Sequence, residues 1–202
     1  MVTIYSIPRT PVGIFDRIQK LAIRSWLAID AQVILIGDNT LRLWAQQFDG
    51  ITFVRSDDDK YGTPYIRPAI LAAEDRAKYD VCGFFNADNI LLDDFVPAID
   101  RVAARFEKFV AVGQRTNLDI TSEVRHFDGR FKEYAQKNGE LFTCYGIDYF
   151  VYQGLSLADD FPPEFLIGRN SYDNWLVRHY VYSDVPLVDL TPEVTVVHAN
   201  HP

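Results

Sequence analysis

The chain has 202 residues, of which 48% are hydrophobic and 24% charged, and carries a net charge of -8. That balance suits a folded globular protein and argues against disorder, and the negative charge argues against nucleic acid as a partner, because gripping a phosphate backbone needs a basic face. The two cysteines, Cys82 and Cys144, are too few for a disulfide framework or a zinc cluster. No apolar run approaches the roughly 18 residues of a membrane span. The opening MVTIYSIPRTPVG also lacks the basic start and long apolar core of a signal peptide. A cytoplasmic protein of one domain is expected.

In chain order, Val2 to Ile7 is a strand-like run, followed by a helical stripe in which Ile14, Ile18, Leu21, Ala22, Ser25 and Ile29 share a face. Gln32 to Ile36 and Ile51 to Val54 are further strand-like runs, and Ile66, Ile70, Ala73 and Ala77 mark the next helix. Val81 to Phe85 is the fourth such run; Phe95, Ile99, Val102 and Phe106 form a third helical face, and Phe109 to Val112 follows. After Gly113 the alternation weakens into an irregular stretch containing Gly129, Gly139 and Gly146, with strand-like runs at Ile147 to Tyr152 and Val194 to His198. Several runs are apolar throughout rather than alternating, as strands covered on both faces are. The pattern predicts an α/β fold with a mostly parallel central sheet flanked by helices, doubly wound.

Ligands of open α/β sheets gather beyond the carboxyl ends of the strands. Polar residues recur at those ends: Pro8 and Arg9 after the first strand, Gly37-Asp38-Asn39 after the second, Arg55 to Asp59 after the third, and Asn86-Ala87-Asp88-Asn89 after the fourth. A carboxylate such as Asp88 can hold a hard divalent cation together with a diphosphate, and the cation can neutralise a diphosphate leaving group. Asn86 is a neutral amide, better suited to orienting a hydroxyl or a metal-bound water. The same residues are also ordinary turn formers, since Asn and Asp satisfy backbone groups locally.

NADNILLDD after an apolar strand resembles the Asp-x-Asp region of GT-A fold glycosyltransferases, which move a sugar from a nucleotide-diphosphate donor. The resemblance continues through Tyr61-Gly62-Thr63-Pro64, Gly146-Ile147-Asp148-Tyr149-Phe150, Ile167-Gly168-Arg169, Tyr172-Asp173-Asn174-Trp175-Leu176 and Val197-His198-Ala199-Asn200-His201, and so covers nearly the whole chain. It implies one GT-A-like domain over residues 1–202, with a nucleotide-sugar half at 1–113 and an acceptor half at 114–202. It further implies that Asp88 binds Mn²⁺ or Mg²⁺ and that His198 or His201 completes the coordination; an imidazole suits Mn²⁺ better. Asn86 stands where the first acidic residue usually does. The chain is short for this fold, and the resemblance implies sequence beyond His201.

The resemblance also implies an acidic base that takes the acceptor's proton, and Asp173 is the candidate, in the first turn of a helix that Ser171 could cap. With Asp173 as base the anomeric configuration inverts, by the geometry that separates inverting from retaining carboxylate pairs. An acid in a first helical turn is equally a response to the helix dipole. Asp148 is a candidate for hydrogen bonds to donor sugar or acceptor hydroxyls, or else a turn residue; Arg169 is a candidate phosphate contact or a solvated arginine. Pro8, Arg9, Asp57 and Asp58 are candidates for the nucleotide, UDP- or GDP-linked, and a carbohydrate or other hydroxyl is the expected acceptor. Tyr61 and Tyr65 either line the site or pack, and His126 and His179 have surface or packing roles.

A nicotinamide-binding Rossmann domain needs a glycine-rich turn after its first strand, where this chain has Pro8 and Pro11. A sugar-phosphate nucleotidyltransferase shares much of the architecture but normally carries a glycine-rich, basic loop early in the chain. A catalytically inactive sugar- or nucleotide-binding module is the alternative from a different class.

Overall fold

The computed structural model describes residues 1–56, 62–121, 124–169 and 171–201. Its centre is a seven-stranded sheet. The chain enters through β1 (Thr3–Ser6), whose four residues are all buried. Helix α1 (Ile14–Ala28) buries Ile18, Ala22, Ile23 and Trp26 from one stripe. Strand β2 (Gln32–Gly37) pairs parallel with β1. The short helix α2 (Asn39–Ala45) follows, its entry capped by Asp38, whose carboxylate accepts from the Leu41 N–H at 2.9 Å. Strand β3 (Thr52–Arg55) is the half-exposed edge beside β2, and α3 (Ile66–Glu74) returns the chain to β4 (Cys82–Phe85) on the other side of β1.

From β4 the chain departs from simple alternation. Strand β5 (Asn89–Ile90) leaves the central sheet, α4 (Phe95–Arg105) follows, and β6 (Phe109–Val112) rejoins. Strands β7 (Arg115–Leu118) and β8 (Glu140–Leu141) flank α5 (Gly129–Asn138). Strand β9 (Tyr149–Gln153) inserts antiparallel between β4 and β6. Helices α6 (Leu157–Asp160) and α7 (Tyr172–Val181) precede β10 (Leu187–Asp189), which pairs parallel with β6, and β11 (Val196–Ala199) ends the fold. The central order is β10-β6-β9-β4-β1-β2-β3, and a second sheet runs β5-β11-β7-β8.

Side chains of the central strands alternate between two cores, as the pleat requires. Ile4, Val33, Leu35, Phe85 and Val151 face α1, α4 and the small sheet, whereas Tyr5, Ile34, Ile36, Phe84 and Phe150 face α3 and α7. The sheet is thus covered on both faces, which explains the uninterrupted apolar runs.

The expected strands and helices of the first half are present, and the α/β architecture with a mostly parallel central sheet holds. Two details are added. The strand-like run Val194 to His198 gives β11, at Val196–Ala199, in the second sheet, and the stretch after Gly113 holds β7, α5 and β8 between irregular segments. Those elements are polar: β7 reads RTNL and is largely half-buried, both residues of β8 are exposed, and α5 buries only Ala135. Among the described residues no helix is long and apolar enough to cross a membrane.

Cys82 lies in β4, where burial and then the charge of Glu74 push its thiol up to about 12, while Cys144 is exposed. Titration with a thiol reagent near pH 8 is therefore expected to find one reactive thiol in the native protein and two after denaturation, because only thiolate attacks. Two fast-reacting thiols in the native state would contradict the packing of β4.

Candidate functional site

The polar notch Asn86-Ala87-Asp88 follows β4 at the carboxyl edge of the parallel strands. Its setting depends on the second sheet. Strand β11 lies between β5, antiparallel, and β7, parallel, in a register that sets His198 opposite Asn89 and Asn117. The residue next to Asn89 is Asp88, so the pairing brings the His198 imidazole to it: Nε2 lies 3.5 Å from Asp88 Oδ2. Beyond β11 the Asn200 N–H bonds to the Leu118 carbonyl at 3.0 Å, and its side chain bonds to Asp119 at 2.9 Å. The chain then turns His201 back, and its Nε2 comes to 3.4 Å from the same Asp88 oxygen. The His201 ring meets Phe15 edge-on with centroids 5.0 Å apart.

One donor atom from each of Asp88, His198 and His201 falls within 4.8 Å of the others. Metal–ligand bonds of about 2.0–2.2 Å place neighbouring donors about 2.8–3.1 Å apart in an octahedral arrangement and about 3.3–3.6 Å apart in a tetrahedral one, and the two nitrogen–oxygen spacings, 3.5 and 3.4 Å, fall within the latter range and just above the former. Asp88 Oδ1 and His198 Nδ1 are buried with no protein partner. The donor set therefore fits a divalent cation. Burial by itself would raise the Asp88 carboxyl, but the hydrogen bonds and charge of His198 and His201 outweigh it and hold the group below its ordinary value.

The cluster borders a cavity of about 400 Å³ lined by Arg9, Phe15, Asn86, Asp88, Arg169 and Asp173, among others. A second cavity of about 580 Å³ reaches Pro8, Gly37, Asp38, Gly62 and Thr63, and shares Arg9, Gly168 and Arg169 with the first. The two guanidinium-bearing residues thus stand on the border between the cavities. Arg9 lies over the Phe15 ring at 4.2 Å, and its backbone exchanges hydrogen bonds with the buried Gln19 at 2.7 and 3.1 Å.

The structure brings together seven of the residues singled out from the sequence: Arg9, Asn86, Asp88, Arg169, Asp173, His198 and His201, with Pro8 in the adjoining cavity. Asp57, Asp58 and Tyr61 lie outside the described residues. Asp173 sits in the first turn of α7, half-buried, its Oδ1 accepting from the Asn174 N–H at 2.8 Å. Ser171 does not cap α7 with its side chain; its backbone is left-handed, with φ 49°, a conformation costly for a residue with a Cβ. His179 packs flat on Trp175 with centroids 5.4 Å apart, the packing role expected of it.

Asp148 is 8% exposed, and its carboxylate is engaged by the protein itself. Oδ1 accepts from Asn86 Nδ2 at 3.0 Å, and Oδ2 pairs with the Arg115 guanidinium. Burial pushes this carboxyl up from its ordinary value against the pull of Arg115. The Tyr172 hydroxyl donates to Asn86 Oδ1 at 3.2 Å; burial, together with the charges of Asp173, Asp148 and Asp88, pushes its pKa up and keeps the proton on. Arg115 and Tyr172 were not identified as site residues from sequence. Tyr172 adjoins Asp173, a usable signal, but Arg115 lies in a polar strand whose partners are remote in the chain.

No protein-family model matches the chain, and no curated protein matches it. Solved structures do. S. aureus TarS, residues 1–349, superposes with a TM-score of 0.62 at 13% identity, covering 98% of this chain and 60% of that fragment. The same TarS fragment in complex with UDP gives 0.61 at 13% identity, over 100% of this chain and 61% of that one. A Bacillus anthracis protein assigned as a glucose-1-phosphate thymidylyltransferase, in complex with a sucrose, gives 0.52 at 13% identity, over 98% and 89%. The chain spans about 60% of the length of the TarS fragment. The chain shares the fold of these structures, Rossmann-like with helices on both faces of the central sheet.

The notch is also tied to α1, because Trp26 Nε1 donates to the Asn89 carbonyl at 2.8 Å in the core. Trp26→Phe keeps most of the ring but removes that donor. It is expected to cost about 1–2 kcal/mol in urea denaturation, the scale of a buried acceptor losing its bond, and no change in midpoint would mean that the contact contributes nothing.

Proposed function

We propose that this chain is a metal-dependent glycosyltransferase that moves a sugar from a UDP- or GDP-linked donor to an acceptor hydroxyl, carbohydrate or otherwise, with inversion. The observation that carries this is the convergence of Asp88, His198 and His201 on one point at the carboxyl edge of the sheet, beside a cavity that is also lined by an acidic candidate, Asp173. The fold shared with TarS, one of whose structures holds UDP, supports a transferase of nucleotide sugars at a coarse level.

Asp88, His198 and His201 would hold Mn²⁺ or Mg²⁺, the two imidazoles favouring Mn²⁺. When bound, the cation supplies Lewis-acid neutralisation of the leaving diphosphate, which a protein of net charge -8 cannot supply from its overall field. Arg9 and Arg169, at the border of the two cavities, orient the diphosphate through their planar forks. The cavity at Pro8, Gly62 and Thr63 then receives the nucleoside, and the one at Asn86 and Asp173 receives the sugar. Asp173 takes the proton of the acceptor hydroxyl as that oxygen bonds to the anomeric carbon from the face opposite the diphosphate. The bond from that carbon to the diphosphate oxygen breaks, the nucleoside diphosphate leaves with the electron pair, and the configuration inverts.

The likeness to the thymidylyltransferase keeps a nucleotidyltransferase as the second reading. Incubation with a panel of nucleotide sugars and Mn²⁺ separates the two, since a glycosyltransferase releases nucleoside diphosphate whereas a nucleotidyltransferase releases pyrophosphate from a nucleoside triphosphate and a sugar phosphate. An inactive module binds nucleotide and releases neither.

Two substitutions test the assigned residues. In isothermal titration Mn²⁺ is expected to strengthen UDP binding by the wild type, and Asp88→Ala to abolish that strengthening; an unchanged Mn²⁺ effect in the variant removes Asp88 from the cation site. Asp173→Asn is expected to bind donor as the wild type does while kcat falls by about 10²–10⁴-fold, the usual contribution of a positioned base. Wild-type turnover in that variant would show that some other group takes the proton.

A further inference from the structure

Between the cation cluster and α7 runs a line of partly buried polar contacts for which the proposed chemistry has no use. The Tyr172 hydroxyl donates to Asn86 Oδ1 at 3.2 Å. Asn86 in turn donates twice to Asp148, from Nδ2 to Oδ1 at 3.0 Å and from its backbone N–H to the Asp148 carbonyl at 2.8 Å. Asn89, on the far side of Asp88, donates from Nδ2 to the same carbonyl at 3.1 Å. The remaining Asp148 oxygen holds the Arg115 guanidinium, which is itself fixed by Asn117 Oδ1 at 3.0 Å from Nε and by the Phe142 ring at 4.5 Å.

We infer that Asp148 is a positioning residue: it clamps both ends of the turn that carries Asp88 and, through Asn86, ties that turn to Tyr172, the neighbour of Asp173. Cation holder and proton acceptor are thereby set against each other as one unit. The inference rests on the reading of Asp88 as a cation ligand and Asp173 as the base, and goes beyond it in removing Asp148 from contact with substrate. It also accounts for Asn86. An amide donates to Asp148 and accepts from Tyr172 at once, whereas a carboxylate there only accepts and would face a second carboxylate. A charge as buried as Asp148 is tolerated because Arg115 pairs with one carboxylate oxygen and Asn86 Nδ2 donates to the other, while Asn89 and the Asn86 N–H bond to its backbone carbonyl.

Two variants test this with readouts that a merely structural role would not move. In Asp148→Asn the side-chain oxygen still accepts from Asn86, but the charge that holds Arg115 is gone. Its Mn²⁺ dissociation constant, measured by electron paramagnetic resonance, is expected to rise about 10–100-fold, the range for groups that orient metal ligands. Tyr172→Phe keeps the ring packed on Phe84 and Phe161. It is expected to bind Mn²⁺ like the wild type and to keep the donor KM, while kcat for nucleoside diphosphate release falls about tenfold. Thermal midpoints in EDTA accompany both. A lowered midpoint with Mn²⁺ affinity and kcat unchanged overturns the positioning role, and if Asp148→Asn does not fold, Tyr172→Phe decides alone. Should the wild type bind Mn²⁺ without turnover, the Asp148→Asn affinity decides. A wild type that binds no Mn²⁺, as Asp88→Ala is expected not to, overturns the reading of Asp88 and the positioning role with it.

Discussion

The site depends first on one strand pairing. Strand β11 is held between β5 and β7, and the register that sets His198 opposite Asn89 is what brings an imidazole from the end of the chain to a carboxylate in its middle. Because side chains alternate across a strand, a slip of one residue would turn His198 to the other face and put Val197 or Ala199 beside Asp88. All four residues of β11 are buried, so the register is enforced by packing rather than by any contact the imidazole makes. Val196 and Val197 enter the same core as Ile90 and Leu118, and that core is what a slip would break.

The second constraint is charge. The chain carries an excess of acid, yet two of its carboxylates, Asp88 and Asp148, lie in the interior, and the charge of Asp88 is felt at Asp148. The structure separates them by what each is given. Asp148 has a full set of protein partners ending in Arg115, whereas Asp88 has two imidazoles on one oxygen and nothing on the other. A group whose oxygens are all satisfied is a structural element, and one with a buried oxygen that has no protein partner is available to a ligand. The same division applies to the cations: Arg115 is sequestered, while Arg9 and Arg169 line the cavities.

Much of this was legible in the residues themselves. Val2 to Ile7, Gln32 to Ile36 and Val81 to Phe85 read as strands because they are covered on both faces, and burial on both faces forces an apolar run. The stripes of α1, α3 and α4 were equally plain, since each helix buries one side of itself. Asp88 stood out because polar residues at strand ends are where an α/β sheet presents its ligand edge, whereas His198 and His201 were implied only by the resemblance to the GT-A glycosyltransferases. Strands β7 and β8 were illegible for the converse reason: RTNL and Glu140-Leu141 are short and face water, so no period is imposed on them. Asp148 was seen as a candidate for binding, but its partners Arg115 and Asn86 are 33 and 62 positions away, and no local pattern encodes so distant a pairing.

The sequence by itself determined the α/β class and the strand ends that carry polar side chains, because burial and turn chemistry act over a few neighbouring residues. Only the tertiary structure decided that β9 runs antiparallel, that the last strand belongs to a second sheet, and that of two interior carboxylates one is spent on an arginine and the other left open. Those outcomes follow from strand order and register, which arise from packing between segments far apart in the chain and leave no trace in the local spacing of residues.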